Sequence, residues 1–125
     1  MIRTPTAREM DIMSVLWDLE SATVSEVRER LADDLAYNTV LSMLRILEAK
    51  GMVGHRKDGR AHRYHALVER EEAGRVVLSR LRDKLFKGSG ELLMTQLVAD
   101  EPLSPAAVRR LRKQLDERLK KEEER

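Results

Sequence analysis

The residues best suited to chemistry lie between positions 53 and 67, in the stretch VGHRKDGRAHRYHAL. This stretch contains four Lys or Arg residues and all three histidines of the chain. Imidazole nitrogens bind zinc, so one interpretation is a metal site built from His55, His62 and His65. The other is a cationic surface for a polyanion. Zinc sites usually have four clear ligands, and strand alternation turns His65 to the opposite face, so the cationic surface is favoured.

Charge is distributed unevenly along the 125 residues, although the net charge is only +2. Residues 1–35 carry four Lys or Arg against eight Asp or Glu, and residues 36–65 carry six against two. Residues 66–125 carry fourteen against twelve. A basic block beside an acidic one indicates that one face of the protein is directed at a polyanion.

Composition favours a folded cytoplasmic protein. Hydrophobic residues make up 42% of the chain, and there is no cysteine, no apolar signal segment and no apolar run of membrane-spanning length, so we expect neither disulfides nor membrane insertion. No nucleophile–base pair and no phosphate-binding glycine motif is evident, so we expect neither an enzyme nor a bound cofactor or metal. Trp17 and the methionines favour core packing, with a ligand pocket between helices as the alternative.

Three helical segments precede the basic stretch. The pairs Thr6/Glu9 and Thr23/Glu26 have the spacing of capping boxes and predict the starts of the first two helices. The third segment, YNTVLSMLRILEAKG, ends at a glycine. Its helical periodicity predicts a buried face of Val40, Met43, Leu44 and Leu47. The opposite face is polar and free of acid up to Glu48, and it carries Asn38, Ser42, Arg45 and Ala49, with Thr39 and Leu41 on its flanks.

The Asp58-Gly59 pair predicts a two-residue hairpin turn between strands at about 53–57 and 60–66. In that register Lys57 would face Arg60, His55 would face His62, and Val53 would face Tyr64. Two opposed cations repel each other, and a nearby anion would remove that cost.

The order of elements predicts a mainly α protein. Residues 1–68 are expected to form a winged helix-turn-helix domain with the hairpin as its wing. Residues 69–125 predict three amphipathic helices, whose leucine stripes have too few partners within one chain. We therefore expect this region to be a dimerisation domain in which a second copy covers the stripes. The residues expected at that interface are Leu78, Leu81, Leu85, Leu93, Leu97, Leu111 and Leu115.

A winged helix of this kind predicts binding to double-stranded DNA, with the third helix in the major groove and the wing on phosphates. A homodimer would read an inverted repeat. The alternative is a protein-interaction adaptor, but an adaptor needs no cationic wing beside an acid-poor helix. The residues expected to contact DNA are Tyr37, Asn38, Thr39, Leu41, Ser42, Arg45, Arg56, Lys57, Arg60 and Arg63.

The chain resembles the BlaI/MecI family of penicillinase repressors from about Thr6 to Leu119. The matching segments include EMDIMSVLW, LAYNTVLSMLRILEAKGMV, HRKDGRAHRYHALVER and DKLFKGSGELLMTQLV. The resemblance implies a homodimeric transcriptional repressor that binds palindromes with TACA-like half-sites. It also implies control of β-lactam or cell-envelope stress genes, with regulation of unrelated genes through another signal as the alternative.

The resemblance further implies a membrane sensor metalloprotease, or its downstream protease, as a partner that cleaves the repressor in its dimerisation region. That bond joins an Asn to a Phe in the penicillinase repressors, and the matching positions here are Gln96 and Leu97. These two residues are therefore the candidate proteolytic site, with an altered sequence. The copper-responsive branch of the family uses a cysteine-rich motif, which this chain lacks.

Overall fold

A computed structural model describes residues 4–125 and is mainly helical. Three helices and a hairpin come first, and three further helices follow, as the sequence predicted. One strand of two residues was not expected. In chain order the elements are α1 (Ala7–Leu19), β1 (Ala22–Thr23), α2 (Val24–Arg30), α3 (Tyr37–Ala49), β2 (Val53–Asp58), β3 (Ala61–Ala66), α4 (Arg70–Leu85), α5 (Gly90–Asp100) and α6 (Pro105–Glu123).

Both predicted capping boxes are confirmed. The Thr6 hydroxyl accepts a hydrogen bond from the Glu9 N–H (3.2 Å), and the Glu9 carboxylate accepts one from the Thr6 N–H (2.8 Å). Thr23 and Glu26 form the same pair of bonds at the start of α2. Helix α2 has only seven residues. A helix this short is not stable alone, so packing against the core must maintain it.

The core lies between α1, α2, α3 and the small sheet, and it is aliphatic apart from Tyr64. The predicted inner face of α3 is confirmed at Val40, Leu44 and Leu47, which are fully buried, while Met43 is partly buried against them. Burying each large aliphatic side chain contributes about 1.5–3 kcal/mol, which exceeds any helix-propensity effect in these short elements. The other fully or nearly fully buried residues are Ile12, Met13, Leu16, Ala22, Val27, Met52 and Val53.

The sheet has the antiparallel order β1–β3–β2. The predicted hairpin register is wrong, because Asp58 pairs with Ala61 and the turn residues are Gly59 and Arg60. His55 therefore faces Tyr64, and Lys57 faces His62 rather than Arg60. The two registers differ by an even shift, so both send the same side chains toward the core and the apolar pattern does not distinguish them. The observed register separates Lys57 from Arg60 and places Arg56 opposite Arg63.

Gly51 has φ +79°, a conformation that disfavours any residue with a Cβ, and it closes the C-terminal turn of α3. A Cβ built there has no atom within 4 Å, so the cost of Gly51→Ala is purely conformational. We expect this substitution to lower the free energy of unfolding by about 1 kcal/mol. Gly74→Ala is the matched control, because it lies inside α4 with an equally open Cβ position. It should raise the free energy of unfolding by roughly 0.5–1 kcal/mol. Denaturant titration of both variants measures these opposite changes.

The junction between the hairpin and α4 is fixed by the end of α1. The Trp17 indole N–H donates to the Val68 carbonyl (3.0 Å), and the Arg70 guanidinium carbon lies 5.1 Å from the centre of the Trp17 ring. Arg70 also pairs with Asp18 (3.3 Å). Trp17 thus packs against the core, as expected, and it orients the first turn of α4 through a cation–π contact.

Helices α5 and α6 begin at side-chain caps. Ser89 accepts from the Leu92 N–H, and Ser104, which precedes Pro105, accepts from the Ala107 N–H. Neither helix has a buried residue. Within a single chain their apolar stripes are open to solvent, with Leu115 60% exposed and Leu97 52% exposed.

Candidate nucleic-acid interface

The outer face of α3 is exposed and polar. Among the residues expected to contact DNA, Asn38, Thr39, Ser42 and Arg45 are all exposed, and Tyr37 is 45% exposed. Leu41 differs, because it is half-buried and packs against the core, so only part of its side chain reaches the surface.

Ile46 is an apolar residue on this surface that the sequence interpretation missed. It is 50% exposed and lies one turn after Ser42, on the side of the helix that carries Thr39. The signal was available, since residues four apart share a helix face. The spacing of the buried stripe indicates only the inner face of α3.

The observed register assigns the wing side chains to two faces. His55, Lys57 and His62 lie on the face that carries Tyr64, whereas Arg56 lies opposite Arg63 on the other face. His55 links the wing to α3, because its Nδ1 is 2.6 Å from the Glu48 carboxylate. Its ring stacks on that of His62, with 4.6 Å between centroids. The only acidic residue of α3 is therefore occupied by a partner in the wing.

Arg63 is engaged within the protein, unlike the other three cations of the wing. Its Nε donates to Asp58 (3.0 Å), its Nη2 is 3.0 Å from Glu26, and its Nη1 donates to the Ser21 carbonyl (3.4 Å). The hydrogen bond to Asp58, with help from Glu26, raises the pKa of Arg63 above its ordinary value. The three wing cations that are exposed and form no salt bridge within residues 4–125 are Arg56, Lys57 and Arg60.

The three histidines of the wing do not form a complete set of zinc ligands. His65 lies opposite Gly54, on the face away from His55 and His62. In the part of the chain that the structure describes, no three His, Cys, Asp or Glu side chains are placed to hold one metal ion.

No helix between residues 4 and 125 has both the length and the apolar character needed to cross a membrane.

A short helix, a second helix with a polar outer face and an adjacent hairpin define the winged helix-turn-helix class. A family model described as penicillinase repressor matches residues 5–117. The chain belongs to this family, the BlaI/MecI-type transcriptional regulators, as its resemblance implied.

Individual relatives agree with this placement. The methicillin resistance regulatory protein MecI of Staphylococcus aureus strain N315 is 24% identical over 115 residues, which cover 90% of this chain and 94% of that protein. The transcriptional regulator BlaI of Mycobacterium tuberculosis strain H37Rv is 42% identical over 67 residues, or 51% of this chain and 49% of that one.

Solved structures give the same fold. The solution structure of the DNA-binding domain of the repressor BlaI covers 58% of this chain and 93% of its own, with a TM-score of 0.50 and 28% identity. A MarR family protein from Bacillus stearothermophilus covers 98% of this chain and 78% of its own at a TM-score of 0.53. Its identity of 17% supports the fold alone.

Proposed function

We propose that the protein represses transcription by binding operator DNA as a homodimer. The observation that carries this proposal is the acid-poor outer face of α3 beside a wing with three exposed cations that form no salt bridge within residues 4–125. Ala36 precedes α3 without a side-chain cap, so the N–H groups of Tyr37 and Asn38 can donate to a phosphate oxygen. The Thr39 N–H instead donates to the Ala36 carbonyl (3.1 Å). The charge of Glu48, which would repel DNA, is paired with His55 when that ring is protonated.

Each exposed residue has a role suited to its chemistry. Asn38 can bond the N6 and N7 edge of adenine, and Arg45 can bond guanine or a phosphate. Thr39 and Ser42 can bond either bases or phosphates, and the exposed part of Leu41 can contact a thymine methyl group. Tyr37 can bond a phosphate through its hydroxyl. Arg56, Lys57 and Arg60 would reach the DNA backbone from the wing.

The dimer proposal rests on the apolar surface of the C-terminal helices. We assign residues 1–68 to DNA binding and residues 69–125 to dimerisation. Five of the seven leucines expected at the interface are 44–71% exposed in one chain, namely Leu78, Leu85, Leu97, Leu111 and Leu115. Leu81 and Leu93 are partly buried. A two-fold partner would cover these stripes and present two α3 helices to the inverted repeat that the family resemblance implies.

Regulation by proteolysis is a further part of this proposal. Gln96 and Leu97 lie inside α5, and the Gln96 side chain donates to Asp100 one turn later. A protease binds an extended segment, so α5 must unwind locally before this bond is cut. Cleavage there would detach α6 and its leucine stripe. We propose β-lactam or cell-envelope stress genes as the regulated genes, and a membrane sensor metalloprotease or its downstream protease as the partner.

Base contacts and phosphate contacts should respond differently to substitution. We expect Asn38→Ala to lose about 1–3 kcal/mol of discrimination between the operator and a changed half-site, because a bidentate base contact is removed. Arg60→Ala should weaken binding to all sequences alike, and the slope of log K against log salt should fall by about 1. Titrations of DNA from upstream of this protein's own gene, at several salt concentrations, measure both effects.

Arg110→Ala serves as the control for lost charge, since Arg110 lies on α6 away from its leucines and from α3. This variant should bind the operator as the unmodified protein does. Binding by the unmodified protein that is neither selective nor salt-dependent would contradict the repressor proposal. That result would favour a protein-interaction adaptor.

A further inference from the structure

We propose that Arg63 is a positioning residue that fixes the wing to the start of α2, and that it does not contact DNA. The inference rests on the proposed function, because it concerns how the same surface is held in place. It reverses the role that the sequence suggested for Arg63, while leaving Arg56, Lys57 and Arg60 as phosphate contacts.

The guanidinium of Arg63 joins three separate pieces of chain. Nε bonds Asp58 beside the hairpin turn, Nη2 pairs with Glu26 in α2, and Nη1 donates to the Ser21 carbonyl ahead of β1. A planar fork with five donors in fixed directions can satisfy such a set, whereas a lysine ammonium cannot match its geometry. The Arg63 side chain is only 25% exposed.

Glu26, the partner of Arg63 in α2, contacts two groups at once. The same Oε1 atom of Glu26 accepts from the Thr23 N–H (3.0 Å) and lies 3.0 Å from Nη2 of Arg63. The backbone bond from Thr23, with Arg63 adding to it, lowers the pKa of Glu26, so this carboxylate is ionised near neutral pH. Thr23 and Arg63 are also cross-strand partners in the sheet. The wing is thereby tied to the residue that caps α2.

Electrostatics argue against a second role for Arg63 at DNA. Its single positive charge lies between two carboxylates, so a phosphate would have to compete with both of them. A single exposed ion pair contributes little to stability. An isolated β-hairpin is only marginally stable, however, so several ion pairs acting together can fix the orientation of the wing. If the hairpin pivots, the three exposed cations no longer meet their phosphates together with α3 in the groove.

The deciding experiment removes the carboxylates rather than the cation. Asp58→Asn keeps the size and shape of the side chain next to the Gly59-Arg60 turn, and Glu26→Gln keeps the residue type that a capping box accepts. Each variant removes a negative charge, so simple charge attraction predicts tighter operator binding. Fixation of the wing by Arg63 predicts the opposite, a loss of about two- to fivefold in affinity with an unchanged salt slope. Tighter or unaltered binding by both folded variants would overturn the inference.

Three further variants complete the test. Glu29→Gln removes the same charge from the same helix at an exposed position without a salt bridge in the described chain, and it should not weaken binding. Arg63→Lys and Arg63→Gln should be equally impaired, because neither retains the fork. A direct phosphate contact would instead spare Arg63→Lys and lower the salt slope of Arg63→Gln by about 1. If the unmodified protein shows no selective, salt-dependent binding, the proposed function itself fails. Selective binding combined with a failed carboxylate test refutes the role of Arg63 alone.

Discussion

In the proposed homodimer, replacing Leu115 with Asp should separate the two copies and weaken binding to a two-half-site operator by about 100-fold or more. Leu115 lies in the α6 stripe with Val108, Leu111 and Leu119, and the exposed fractions of these side chains run from 44% to 60%. A carboxylate buried in such an apolar contact has no partner, so it opposes association. Once the copies separate, each copy must bind its half-site independently. The affinity that comes from linking two DNA-binding domains in one dimer is then lost.

The matched control is Gln114→Asp, which introduces the same residue and the same charge at the neighbouring exposed position, about 100° around α6 from Leu115. It should remain dimeric and bind the operator normally. Sedimentation velocity gives the oligomeric state, and titration of one-half-site and two-half-site DNA gives the affinity. A Leu115→Asp variant that stays dimeric would show that the α6 stripe is not the interface. Equal losses on both DNAs would show that the substitution harms more than dimerisation.

Local patterns were enough to predict the helices and the outer face of α3. The capping boxes at Thr6 and Thr23 depend on residues three positions away, and the inner face of α3 follows from a periodicity of one helical turn. Local patterns were not enough to predict the strand register of the wing. Two hairpin registers keep Val53 and Tyr64 on one face, so the apolar pattern does not choose between them. In the observed register Asp58 accepts a hydrogen bond from Arg63, a contact that the apolar pattern does not contain.

Long-range contacts account for what the sequence did not predict. β1 is only two residues long and is a strand because Ala22 pairs with Tyr64, more than forty positions later. Arg63 was predicted as a phosphate contact because it lies in a basic stretch. One acidic partner, Asp58, lies in that same stretch. The other, Glu26, comes from the acidic block that is distant in sequence and adjacent in space. A charge in a basic run identifies the kind of surface, and only the fold identifies which cations remain available to an external anion.

Replacing Glu9 with Gln should lower the free energy of unfolding by about 2–3 kcal/mol at neutral pH, because it leaves the Lys50 ammonium without its counter-ion. The two side chains are 5% and 16% exposed, with 2.6 Å between Nζ and Oε1, and they join the start of α1 to the end of α3. Gln still fits the capping box with Thr6, so the loss reports mainly on the ion pair. Denaturant titration gives the magnitude. A double-mutant cycle with Lys50→Met separates the pair from its parts, and the double variant should recover most of the loss.

The pH dependence of the same variant tests the cause. Burial alone would raise the pKa of Glu9, but the hydrogen bond from Lys50 and those from Thr6 hold it below its ordinary value of 4.5. A carboxyl whose folded pKa is depressed contributes stability that is complete above its unfolded pKa and is lost as pH falls through the folded one. The difference in unfolding free energy between the unmodified protein and Glu9→Gln should therefore be constant above about pH 5.5 and shrink steadily below 4.5. A difference that stays the same down to pH 3 would mean that the loss in Glu9→Gln does not come from the charge of the Glu9 carboxylate. The Glu9–Lys50 pair would then fix α3 against α1 without contributing electrostatically to stability.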